Sequence, residues 1–185
     1  MKSRLKSSRI ESRELINDDL QLFDALEGSM KSSYFTGDYS NAIESSALLL
    51  SSAGISADQI LQAHYIAGKS LFEQQKFNEA RKELQYVAGN DKGRFGAEAN
   101  YLIALISFEN GQYPESKKLI FNISEKYSSY EYWVAKAFIL LADVYVKEDN
   151  VFQARETLKS IVDNYQGEDL RKIASDKLTS LKQAE

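Results

Sequence analysis

The 185-residue chain has no cysteine, one histidine and one proline. Without cysteine there are no disulfides and no thiolate chemistry. A lone histidine, His64, leaves little for a metal site or for acid–base work. One proline and nine glycines are too few for an all-β protein with many tight turns, for collagen or for a disordered linker. No apolar run reaches the roughly 18 residues of a membrane span. The longest, Ala137 to Ala142, is a buried helix segment at most. The first fourteen residues hold no apolar stretch of the secretory type. A net charge of −4 argues against a nucleic-acid partner, which needs a basic face. The one basic stretch is the start, Lys2, Arg4, Lys6 and Arg9, with Glu11, Glu14, Asp18 and Asp19 behind it. It reads as a solvated terminus, the alternative being contact with anionic lipid or phosphate.

What the chain does contain is a repeat. Tyr34 to Ala42, Phe72 to Ala80, Phe108 to Ser116 and Val146 to Ala154 each run from a large residue through a polar turn to an aromatic or apolar residue and then a small one. The small residues Ala42, Ala80, Ser116 and Ala154 are 38, 36 and 38 positions apart. Near-constant spacing over four copies means one supersecondary unit used four times.

On both sides of each turn the apolar residues recur at three- and four-residue steps. Ile60, Ala63, His64, Ala67, Gly68 and Leu71 precede the second turn, and Ala80, Leu84 and Val87 follow it. Such stripes mark helices with one buried face, so each unit is expected to be two antiparallel helices. Twelve residues before Ala80, Ser116 and Ala154 stand Gly68, Ala104 and Ala142. Folding back about the turn brings these small pairs to the helix crossing, where close approach leaves room for little more than a methyl group. Gly37 and Gly111 supply left-handed turn residues, and Pro114 opens a second helix where its missing N–H costs nothing.

This pattern resembles the tetratricopeptide repeat (TPR). Residues 61–94, 97–130 and 135–168 carry the small residue, the large one and the small–apolar series in the family's phase. Residues 23–56 carry it least well, with Met30 and Ser33 at the small and aromatic positions. The family's repeat-end proline is missing from all four copies. The resemblance implies an all-α, right-handed solenoid of about four helix–turn–helix repeats over residues 23–168. Residues 1–22 form a basic segment with a helical extension, and residues 169–185 a capping helix, with Leu170, Ile173, Ala174, Leu178 and Leu181 on its inner stripe. Leu15, Ile16, Leu20 and Phe23 either pack on the first repeat or mark where a preceding one ended. The fourth unit is similar to repeats in long proteins of Bacteroidetes-type bacteria, which favours a bacterial periplasm or cell envelope over the cytoplasm.

In the family, the first helices line a concave groove that takes a peptide or protein segment. The corresponding residues here are Tyr65, Lys69, Phe72, Tyr101, Leu105, Phe108 and Ile139. Tyr65 and Tyr101 are expected to face the groove openly, so that their removal spares the fold. Phe72 and Phe108 divide between groove and core. A chaperone-tail clamp is set aside, because its positions hold Glu27, Lys31, Ile66, Glu98 and Leu102, and two carboxylates repel an anionic tail. No nucleophile stands beside a base, and there is no phosphate loop or metal-ligand spacing, so no catalytic residue, cofactor or metal is expected. His64 reads as a packed core residue and Trp133 as a plug between the third and fourth units. Asn122-Ile-Ser124 is a glycosylation sequon inside a helix. Self-association through an open array end is the alternative to a foreign protein partner.

Overall fold

The computed structural model describes residues 21–183, and these form helices joined by short turns, with no strand among them. The basic start, Leu15, Ile16 and Leu20 lie outside the described residues. The chain divides into two compact units, Met1–Glu83 and Leu84–Glu185, with the division inside one helix.

In the first unit the helices are α1 (residues 21–36), α2 (Tyr39–Ser51), α3 (Ala57–Glu73) and the beginning of α4 (Phe77–Asn90). The Asp38 side chain caps α2 by accepting from the Asn41 N–H at 3.2 Å. Ser56 and Gln59 cap α3 with a reciprocal capping box. Phe23, Met30, Ala42, Leu49, Ala63, Ile66, Ala67, Leu71 and Ala80 are buried. Met30 stands where the other repeats keep a small residue. Its thioether lies 3.6 Å from the Ser46 hydroxyl, and the flexible side chain fits because Ala42 and Ser46 opposite it are small. Ser33, at the aromatic position, is buried and accepts a hydrogen bond from the Asn41 amide at 2.6 Å.

Beyond the rest of α4, the second unit comprises α5 (Arg94–Glu109), α6 (Tyr113–Lys126), α7 (Glu131–Lys147), α8 (Val151–Asn164) and α9 (Glu168–Gln183). Ala104, Ser116, Ala142 and Ala154 are at most 1% exposed. The Ser116 hydroxyl donates to the Ala104 carbonyl at 2.9 Å, which places the small pair at the crossing of α5 and α6. Helix α9 packs on α8 and α7 as α7 packs on α6 and α5, and so occupies the place of a further first helix. It buries Leu170 and Ala174, while Ile173, expected on the buried stripe, is 44% exposed and faces the first helices α5 and α7.

The four turns share one geometry. The residue five positions before each small residue is left-handed: Gly37 (φ +81°), Gln75 (+59°), Gly111 (+71°) and Asp149 (+57°). In the last three turns the next N–H reaches back to a helix carbonyl, Lys76 to Leu71 at 2.9 Å, Gln112 to Ser107 at 2.8 Å and Asn150 to Tyr145 at 2.9 Å. This is the Schellman ending. The glycines are as expected, whereas Gln75 and Asp149 accept the same conformation at a cost of about 1–2 kcal/mol each. Gln75→Gly and Asp149→Gly together should therefore raise stability by about 1–2 kcal/mol, after glycine's larger unfolded-state entropy is subtracted. Thermal unfolding followed by circular dichroism checks this, and Gly111→Ala should move the melting point the other way.

Candidate binding surface on the first helices

In the first three turns the aromatic residue before the turn packs across it. Ring centroids are 5.9 Å apart for Tyr34 and Tyr39, 5.6 Å for Phe72 and Phe77, and 5.7 Å for Phe108 and Tyr113. Phe72 and Phe108 thus close their hairpins with one face and remain half-buried on the other.

In the first unit α1 and α3 lie side by side. The Lys69 ammonium sits 5.1 Å from the Tyr34 ring and 5.0 Å from the Tyr65 ring, and it donates to the Tyr65 hydroxyl at 3.2 Å. Lys31 is paired with Glu27 on the same helix, and the Gln59 amide reaches Glu27 at 3.5 Å. The bond from Lys31 is the main cause that holds the Glu27 carboxyl below the usual carboxylate range, against the opposing effect of burial. His64 is only partly covered, and its Nδ1 lies 2.6 Å from a carboxylate oxygen of Glu83.

In the second unit α5, α7 and α9 form a wall with a depression of about 250 Å³. Tyr101, Leu105 and Phe108 from α5, Ile139 and Leu140 from α7, and Leu170 and Ile173 from α9 supply its apolar lining. Lys136, Glu109 and the Asp143–Lys177 pair, 2.6 Å apart, supply the charges. Trp133 packs against Tyr101 at 5.7 Å and joins the third and fourth repeats. The Lys136 ammonium lies 5.0 Å from the Tyr101 ring centroid, 5.1 Å from Trp133 and 5.6 Å from Tyr132.

Of the seven residues expected at the site, Tyr101, Leu105, Phe108 and Ile139 come together at this depression, while Tyr65, Lys69 and Phe72 belong to the first unit. The two tyrosines correct the expectation of open rings. Each is only 9% exposed, because a lysine lies over each ring and Trp133 also covers Tyr101. Burial pushes the Tyr101 hydroxyl up to about 12, with smaller contributions from Tyr132 and Asp143. Lys136 was missed, although it stands at the second position of its repeat, one of those that face the groove in the family. The α9 residues carried no such signal, since they follow the last complete hairpin.

Among the described residues no cluster of His, Asp or Glu could hold a metal ion, and no helix is long and apolar enough to cross a membrane.

Residues 136–167 match the family model of the tetratricopeptide repeat. Crystal structures of the MamA protein share the fold. One is 18% identical over 88% of this chain and 91% of that chain, with a TM-score of 0.62. Another is 18% identical over 83% and 92%, with a TM-score of 0.58. No curated protein matches the sequence significantly.

Proposed function

We propose that the chain is a non-catalytic scaffold that binds a segment of another protein on the wall of its first helices. The observation that carries this reading is the depression between α5, α7 and α9, where Leu105, Phe108 and Ile173 offer apolar surface beside Lys136. Its volume of about 250 Å³ falls below the roughly 300–1,000 Å³ of small-molecule pockets and suits a side chain of a peptide. The helices that build it are held by buried cores, so little ordering cost falls on the receptor. A tetratricopeptide match in the fourth repeat supports the same reading, because such repeats present their first helices to partners.

The test uses Leu105→Glu and Ile173→Glu, two partly open positions whose replacement leaves the hairpin crossings intact. A partner captured by the intact chain should be lost to the double variant, with binding weakened by about 1–3 kcal/mol at each anchor and the helical signal unchanged. Hydrogen exchange in the complex should show protection on α5, α7 and α9. Protection confined to other helices would reject the proposal.

A further inference from the structure

We infer that Lys136 is the charge-selecting residue of this wall: the depression takes an apolar side chain of a peptide whose neighbouring carboxylate is bound by the Lys136 ammonium. The inference rests on the reading of the depression as a binding surface and specifies what that surface selects. Two lysines line the depression, and they differ. Lys177 is neutralised by Asp143 at 2.6 Å. Lys136 has three aromatic rings around it and no carboxylate partner among the described residues.

A lysine on ring faces is held without being neutralised. The ring quadrupoles attract the cation, but they carry no formal charge and accept no strong hydrogen bond. Its N–H groups that point away from the rings stay available, and part of the side chain's rotamer entropy is already lost before any ligand arrives. A carboxylate arriving there gains a charge-assisted hydrogen bond to a positioned donor. The partly exposed apolar lining beside it, Leu105, Phe108 and Ile173, is open to a side chain adjoining that carboxylate in the same peptide.

The remaining charge gives the site a direction. Glu109 is the last residue of α5, eight positions beyond Tyr101, or about 12 Å along the helix. Lys136 sits against Tyr101 in the second turn of α7. A peptide crossing the depression meets a cation at one end and a carboxylate at the other. An acid is favoured on one side of the apolar anchor and disfavoured on the other.

Immobilised dodecapeptides with a central Leu in an Ala/Ser background, carrying Glu, Gln or Lys at each other position in turn, provide the probe. They are tested against the full chain and its Lys136→Met, Lys136→Arg and Ile173→Asp variants, with melting points measured for each. The expected result is about tenfold tighter binding for Glu than for Gln on one side of the Leu, weakened by added salt. Lys136→Arg keeps that preference and Lys136→Met loses it. If Lys136→Met keeps the preference, or the intact chain shows none while Ile173→Asp still abolishes binding, the lysine's role is refuted and the binding wall stands. If no peptide series is sensitive to Ile173→Asp, the wall itself is refuted and the lysine's role with it.

Discussion

Gly96→Ala is expected to lower the stability of the protein by about 3 kcal/mol, an unusually large effect for one added methyl group. A β-carbon at this position would lie 2.0 Å from the Asp91 carbonyl oxygen and 2.8 Å from both the Asp91 carbonyl carbon and the Tyr127 hydroxyl. Backbone cannot yield there cheaply, because the same atoms form a tie. The Gly96 N–H donates to the Asp91 carboxylate at 2.6 Å, and the Tyr127 hydroxyl donates to the Asp91 carbonyl at 3.0 Å. The Asn100 amide donates to the Gly96 carbonyl at 2.8 Å and to the Tyr127 oxygen at 3.3 Å. The end of α4, the start of α5 and the residue after α6 are joined at this one point. Moving Asp91 aside breaks the tie. Thermal unfolding should show a melting point lower by about 6–12 °C, at roughly 2–4 °C per kcal/mol for a chain of this size. Gly89→Ala is the control. Nothing lies within 4 Å of its β-carbon site, and alanine there should stabilise α4 by about 0.5–1 kcal/mol. Equal effects at the two glycines would contradict the close approach at Gly96.

The second large effect is expected at Tyr101. Tyr101→Ala empties a site that is 9% exposed and packed against Trp133, and should cost about 3–5 kcal/mol. Loss of binding in that variant would therefore report a damaged fold, which is why the binding tests use Leu105 and Ile173. Tyr101→Phe keeps the packing and isolates the hydroxyl. With its folded value raised from 10.0 to about 12 by burial first of all, the neutral hydroxyl is the form the fold favours. Below pH 10 the stabilisation this represents is fully present. Between pH 10 and 12 the unfolded chain loses the proton more readily than the folded one, and about 2–3 kcal/mol is lost as pH rises. Chemical denaturation across that range should show a steeper loss for the intact chain than for Tyr101→Phe. Parallel pH profiles would place the hydroxyl in water.

Some of this architecture is local, and local features can be read in the residue order. Helix periodicity and the small residues at the hairpin crossings act over a few residues or over one fixed turn. Ala104, Ser116, Ala142 and Ala154 were therefore legible in the residue order. So was the left-handed turn at Gly37 and Gly111, because glycine advertises it. Gln75 and Asp149 hold the same conformation with no such label, since there the Schellman bonds and the packing of Phe72 and Phe77 impose it.

Residue order alone establishes that the chain is a series of like helical hairpins, and it points to four residues that meet at the depression, because a repeat carries its phase from copy to copy. The packing of the helices settles that Tyr65 and Tyr101 are covered, that Ile173 is open, and that Lys136 rests on three rings with no carboxylate beside it among the described residues. Tyr101 is covered across α5 and α7, and Lys69 meets Tyr34 across α3 and α1, helices that are not consecutive in the chain. Whether an aromatic side chain lines a surface or fills a core depends on what the neighbouring helix sets against it, and residue spacing within one helix carries no record of that.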